Sequence, residues 1–271
     1  MTPVRRRQWV EHLRETFSVS VRLACAFAGL SRSVYGYEAK RPDDAALIDA
    51  VLKLVERHPR WGFPKLRKRL RKLGQRWNHQ RIYRIYLKLR LTMRRKTKRR
   101  LPSRHPLPLR VPAAANVCWS MDFMSGVLRH GHRFRTLNIV DDFNREALAI
   151  EINSGITAER VITTLERIGA WRGYPHIIRV DNGSEFTSGA FAMWAEARHI
   201  ELDFTEPGCP YQNSYIERFN RTYREDVLDW YLFETLQEVR EITDDWMDLY
   251  NTERPHDALN DMTPKEYLEA A

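Results

Sequence analysis

Residues 176–199, HIIRVDNGSEFTSGAFAMWAEARH, read as a strand, a tight turn and a helix. Ile177, Ile178 and Val180 make the short, β-branched apolar run of a buried strand. Asn182-Gly183 is a turn pair, and TSGAFAMWAEARH follows as a helix. Asp181 then stands at the C-terminal end of a strand, where open α/β sheets place their ligands. Outward from this unit the same alternation continues. VCWSMDFMSGVL, RFRTLNIVDDF and EALAIEI are three strands, with a turn at Arg129–His132 between the first two. A helix from Thr157 to Ile168, capped by Thr157 or Ser154, precedes residue 176. IELDFTE is a short fifth strand, and after a Pro/Gly loop NSYIERFNRTYREDVLDW is a helix. The order β-β-β-α-β-α-β-α predicts an α/β core over 117–230: a mixed five-stranded sheet with helices on both faces.

Three acids fall where such a core brings groups together. Asp122 lies within the first strand, Asp181 ends the fourth, and Glu217 lies on the last helix, with 35 residues between the latter two. Three converging carboxylates repel one another and raise their own pKa values unless a cation offsets them. Hard divalent cations take oxygen ligands, and two of them about 3.5–4 Å apart can clamp the attacking and leaving oxygens of a phosphoryl transfer. The pattern is therefore that of a metal site for chemistry on phosphodiesters.

The remainder of the chain is built differently. Residues 51–100 contain 20 Lys and Arg and one acid, Glu56, whereas residues 117–271 contain 15 basic and 28 acidic residues. A cationic stretch of that density can neutralise many phosphates and gain affinity by counterion release. Residues 1–40 read as a helix-turn-helix-like unit, with a turn at Gly29 and a second helix capped by Ser31. Residues 44–100 read as a basic three-helix unit: DDAALIDAVLKLVERHP, WGFPKLRKRLRKLG, and NHQRIYRIYLKLRL capped by Asn78. Arg67, Lys68, Arg69, Arg71, Arg81 and Arg84 are its candidate DNA contacts. The proline-rich stretch 101–116 is expected to be a stiff linker, and 231–271 a C-terminal helical segment. Cys25, Cys118 and Cys209 lie far apart with no C-x-x-C pair, so neither a zinc finger nor a disulfide framework is expected. No run of about 18 apolar residues is present, and no apolar segment follows the basic start, so a cytoplasmic protein is expected.

WSMDF (119–123), LNIVDDFNRE (137–146), VDNGSEFTS (180–188), FTEPGCPYQNSYIERFN (204–220) and YNTERPHDALNDMTPKEY (250–267) resemble, in order, the blocks of bacterial insertion-sequence transposases. The resemblance is to the IS-three family, to its OrfB product with a retroviral-integrase-like core, and it covers nearly the whole chain. It implies a ribonuclease-H-like fold and the cleavage and strand transfer of transposon ends on double-stranded DNA. It also implies magnesium as the usual cofactor, two ions per site with manganese as a substitute, and Asp122, Asp181 and Glu217 as catalytic metal ligands. Asn213 and Asn220 flank Glu217 as in the family. On a helix Asn213, Glu217, Asn220, Arg221 and Arg224 share one face and are candidates for gripping phosphates, while Ile216, Phe219, Tyr223 and Val227 form a core-facing stripe. The family often has Lys where Cys209 stands and Gly where Arg221 stands. Expected partners are a homo-oligomer on DNA and the OrfA product, separate or fused as OrfAB, in the bacterial nucleoid. Two other readings share the sequence features: a catalytically idle DNA-binding regulator of transposition, and a ribonuclease-H-like nuclease.

Overall fold

A computed structural model describes residues 2–38, 43–93, 112–206 and 210–271, with the backbone alone for 210 and 211. The basic tail 94–100, most of the proline-rich stretch and Cys209 lie outside the described residues. The chain divides into two compact units, Met1–Ala46 and Leu47–Ala271.

In the first unit Thr2 caps α1 (Pro3–Phe17), Ser20 caps α2 (Val21–Phe27) and Ser31 caps α3 (Arg32–Tyr35), each hydroxyl accepting from a backbone N–H in the first turn. Val10, Ala24, Cys25 and Leu30 form its small core, and Gly29 supplies the left-handed turn after α2. The second helix expected from Ser31 is a single turn, because Gly36 already caps it. The turn at Gly29 and the cap at Ser31 stand where the sequence puts them, and only the length of the second helix differs.

In the second unit α4 (Ala45–Arg57), α5 (Phe63–Lys72) and α6 (His79–Lys88) pack Leu47, Val51 and Leu54 against Leu66, Leu70, Ile82, Ile85 and Tyr86. Gly74, at φ 80°, ends α5 in a conformation that L side chains avoid, and Asn78 caps α6 by accepting from the Gln80 N–H at 2.8 Å.

The sheet comprises β1 (Cys118–Val127), β2 (Arg133–Asp141), β3 (Ala147–Asn153), β4 (Ile177–Val180) and β5 (Glu201–Phe204) in the order β3-β2-β1-β4-β5. The first three strands pair antiparallel, and β4 pairs parallel with both β1 and β5. Strand alternation sends Trp119 and Met121 of β1 to one face, against α7 (Ala158–Arg172) and α8 (Gly189–Ala197). Met124 goes to the other, against α9 (Ser214–Tyr223) and α10 (Leu236–Thr252). Asp122, one position from Met121, is thereby turned towards α9. Gly126 is required on β1: a Cβ there would stand 2.3 Å from Cζ of the buried Phe134 ring.

The expected long helix through Trp230 is not uniform. After Tyr223 it widens into a π turn, Arg224–Leu228, which keeps Val227 in the core and lets Asp226 reach Arg254 and the Trp246 indole. The chain ends in α11 (Pro264–Glu269), opened by a capping box between Thr263 and Glu266.

Candidate active site

Asp122 sits in mid-strand opposite Asn138 of β2. One carboxylate oxygen accepts from the Phe123 N–H at 2.8 Å, and the other from Asn220 Nδ2 on α9 at 2.7 Å. Asn220 Oδ1 accepts in turn from Asn138 Nδ2 at 2.6 Å. A chain of three polar side chains thus ties α9 to the middle of the sheet. The aliphatic and aromatic stripe Ile216, Phe219, Tyr223 and Val227 anchors the helix beside it.

Asp181 follows β4 directly. Its carboxylate accepts from the Gly183 N–H at 3.0 Å, and Asn182 donates to the Thr205 carbonyl at 2.8 Å, joining the turn to the end of β5. Glu185 is ion-paired to Arg135, and Ser188 caps α8, so both sides of the loop are pinned. Glu217 is exposed on the first turn of α9.

Electrostatics shows the convergence. Burial, and then the negative charges of Asp181 and Glu217, push the Asp122 carboxyl up to about 6 against the pull of the hydrogen bonds from Phe123 and Asn220. Among the described residues no three of His, Cys, Asp and Glu are already gathered tightly enough to hold a metal ion. The three carboxylates are close enough to act on one another but not collapsed into a cage, as unscreened like charges must be. The amide oxygens of Asn138 and Asn213 are buried in the same wall without a hydrogen-bond partner, and Asn213 Nδ2 donates to the Met121 carbonyl at 3.4 Å. Every donor here is an oxygen, the set that hard cations prefer.

The structure separates the remaining candidates. Asn213, Glu217 and Asn220 belong to the face turned to β1, and Arg224 donates to the Ser125 carbonyl at 3.2 Å on that side. Arg221, four residues on from Glu217 and so about 40° from it around the helix, lines a cavity together with Glu217 and Arg218. On α5, Arg67 and Arg71 make no ion pair among the described residues, whereas Lys68 pairs with Asp257 and Asp261 and Arg69 with Glu253 at 3.1 Å. Arg81 and Arg84 lie on α6, which carries a row of exposed side chains. The residue that sequence reading missed is Asn138. Its signal was an amide set between Leu137 and Ile139 in the buried part of β2, at the register position opposite Asp122.

Comparison with known proteins agrees with this architecture. Models described as integrase core domain match residues 112–210 and 198–264, and one described as HTH-like domain matches residues 42–99. An insertion element IS407 protein of Burkholderia multivorans is 39% identical over 94% of this chain and 92% of its own length. An insertion element IS476 protein of Xanthomonas euvesicatoria is 35% identical over 98% of this chain and 78% of its own. A chain of the simian T-cell lymphotropic virus intasome, solved in complex with PP2A regulatory subunit B56 gamma, superposes with a TM-score of 0.50 over 82% of this chain and 75% of that one. It is 16% identical, and so it bears on the fold alone. With the relatives similar over most of their length, the chain belongs to the IS-three family of insertion-sequence transposases, as an OrfB-type protein with a ribonuclease-H-like integrase core.

Proposed function

We propose that this protein cleaves insertion-sequence ends and transfers the exposed 3′ strand to a second DNA site, with Asp122, Asp181 and Glu217 as the ligands of two divalent cations, magnesium or manganese. The observation that carries the reading is the half-buried Asp122 carboxyl, raised by burial and by two further carboxylates with no basic side chain paired to it. Such a cluster costs stability by itself, and cation binding turns that cost into affinity. The bound ions would polarise the phosphoryl oxygens and lower the pKa of an attacking water or 3′-hydroxyl.

The protein's own part is positioning. Asn220 holds one Asp122 oxygen and leaves the carboxylate fixed in a single orientation. The pinned loop Asp181–Ser188 sets Asp181 at the strand end, and the apolar stripe of α9 presents Glu217. None of the three carboxylates forms a covalent bond to DNA in this scheme. They are ligands, so one site can serve both hydrolysis and strand transfer.

Binding is assigned to a different region. Arg67, Arg71, Arg81 and Arg84 of α5 and α6 are proposed to hold double-stranded DNA through its phosphates, and joining two ends calls for at least two copies of the chain. Lys68 and Arg69 are engaged by acids of the C-terminal segment and are proposed as DNA contacts only if those pairs open. The OrfA product, separate or fused, is proposed to complete end recognition.

A strand-transfer assay on a labelled duplex with an exposed 3′-hydroxyl, in magnesium or manganese, tests the proposal. Wild type should give joined product and Glu217→Gln none. Product from both would remove Glu217 from the chemistry. Product from neither, with the OrfAB fusion also silent, would favour the idle regulator.

A further inference from the structure

We infer that the cavity beside Glu217 lined by Lys65, Arg145, Arg218, Arg221 and Arg254 binds the phosphates of a single DNA strand, so that the basic three-helix unit and the catalytic core hold that strand together. The inference rests on the carboxylate centre being where the strand is processed, since Glu217 lines both.

The cavity measures about 670 Å³. That is room for roughly one or two nucleotides. It is too small for a duplex, whose major groove alone is about 12 Å wide. Its cations come from four separate places in the chain: Lys65 from α5, Arg145 from the β2–β3 turn, Arg218 and Arg221 from α9, and Arg254 from the end of α10. Among the described residues only Arg254 has an ion-pair partner, Asp226 at 2.6 Å. Arg145 lies over the Tyr215 ring, 3.3 Å from its centroid, and donates to the Asp142 carbonyl. The side chains of Lys65, Arg218 and Arg221 have no hydrogen bond or ion pair among the described residues. The acids on the wall are already committed, Glu217 to the carboxylate centre and Asp257 to Lys68.

That the cations converge is seen from their neighbours. The His256 imidazole on the same wall is pushed down to about 3 by burial and then by Arg254, Lys65, Arg218 and Arg145, and its Nε2 is buried without a partner. Burial, and then the charges of Arg254 and Arg218, bring the Lys65 ammonium down to about 8. A folded chain that crowds unpaired cations into one cavity accepts repulsion that an anion would relieve, as a cation would relieve it among the three carboxylates. Guanidinium groups match phosphate geometry with paired N–H donors, and the Tyr215 ring offers a face for a sugar or base. An anion in a cavity that opens onto Glu217 is positioned to be a strand running into the carboxylates.

The test is binding, measured on the full chain in an Asp181→Asn background so that no strand is cut. The probes are a labelled duplex with a single-stranded overhang, a blunt duplex of the same sequence, and inorganic pyrophosphate. For the Lys65→Gln/Arg218→Gln pair, affinity for the overhang should fall at least tenfold. Its salt dependence should flatten by about 1.4, two contacts at about 0.7 each. Affinity for the blunt duplex should fall less than threefold, and the melting temperature of the free protein should hold or rise, because repulsion has been removed. Pyrophosphate should raise the melting temperature of the parent and not of the pair variant. Unchanged overhang affinity overturns the inference, as does an equal loss on both duplexes or a drop in melting temperature. Protection by pyrophosphate with no effect on overhang binding would make this a free-phosphate site and overturn the strand assignment. Binding does not read out strand transfer, so a failed carboxylate assignment and a failed strand site give separate results.

Discussion

Charge is handled in opposite ways in two regions of the second unit. Where α4 and α5 meet the C-terminal segment, acids and bases meet in pairs. Glu253 accepts from Arg57 at 3.0 Å, His58 at 3.0 Å and Arg69 at 3.1 Å, and Lys68 and Lys72 meet Asp257, Asp261 and Glu266. Between β1, β4 and α9, three carboxylates face one another with no basic partner, and next to them unpaired cations share a cavity. The first region needs nothing more to be stable. The second, on the function proposed, is completed by what it binds. Paired charge in this molecule reads as architecture and unpaired charge as a place kept for ligands, and the comparison can be broken at either end.

The largest effect belongs to the unpaired end. Glu217→Gln or Asp181→Asn should lower strand transfer by at least about 10³-fold, the loss of some 4 kcal/mol of barrier reduction. Binding to duplex DNA in a mobility-shift assay should stay within about threefold of wild type. Loss of binding and chemistry together would mean that these acids support the fold, and the contrast between the regions would fail.

The paired end gives the next effect. Glu253→Ala leaves Arg57, His58 and Arg69 facing a hole. The Glu253 side chain is only 14% exposed, so the cost should approach that of breaking a buried pair, about 3–4 kcal/mol in denaturant unfolding. Arg57, more than half exposed, contributes little of it. A change below about 1 kcal/mol would show the seam to be a surface ornament.

How much of this was legible beforehand differs between the regions for a physical reason. The succession of strands and helices along the chain and the position of Asp181 were readable from short-range pattern: period-two alternation, an Asn-Gly turn and capped helices. The approach of Glu217 to Asp122 followed from the apolar stripe on α9. The pairing of Lys68 and Arg69 was not readable, because their partners lie almost 200 positions away and charge density says nothing about who answers it. Nor was the π turn at 224–228, since one extra residue per turn leaves the apolar spacing of Tyr223 and Val227 intact. The one-turn α3 was overestimated because caps were read from Ser31 forward without weighing Gly36 behind it.

A third change turns a proposed metal ligand into a stability gain. At neutral pH the Asp122 carboxylate is held charged in a site that favours its protonated form, with the carboxyl raised from 3.8 to about 6. That interval corresponds to at most about 3 kcal/mol of destabilisation. For an acid raised on folding, the penalty is complete above pH 6 and gone below pH 3.8. Asp122→Asn should therefore unfold later than wild type in metal-free buffer at pH 7, and no later at pH 3.5. Asn220 and Asn138 can turn over together to keep the hydrogen-bonded chain, since Asn138 Oδ1 has no partner to lose. Magnesium should raise the melting temperature of wild type and leave the variant unmoved. A variant less stable than wild type at pH 7 would show that Asp122 is held by its hydrogen bonds more strongly than it is repelled.

The smallest effect lies where the two kinds of region meet. His256, beside the unpaired cations, is pushed down to about 3 by burial and by Arg254, Lys65, Arg218 and Arg145. A base lowered on folding is neutral in the native state while the unfolded chain still takes up a proton. Its contribution is therefore whole above pH 6.5 and lost progressively as pH falls towards 3. His58, lowered by burial against the pull of Glu253, acts in the same direction. Each proton taken up only by the unfolded chain gives a slope of about 1.4 kcal/mol per pH unit. His256→Gln should flatten the decline in unfolding free energy between pH 6 and 4 by up to that amount. Adding pyrophosphate to wild type should flatten it too, because an anion among the cations lets the imidazolium form in the native state. An unaltered slope in the variant would mean that His256 titrates as it does in the unfolded chain, and that the cations around it are screened more fully than their missing partners imply.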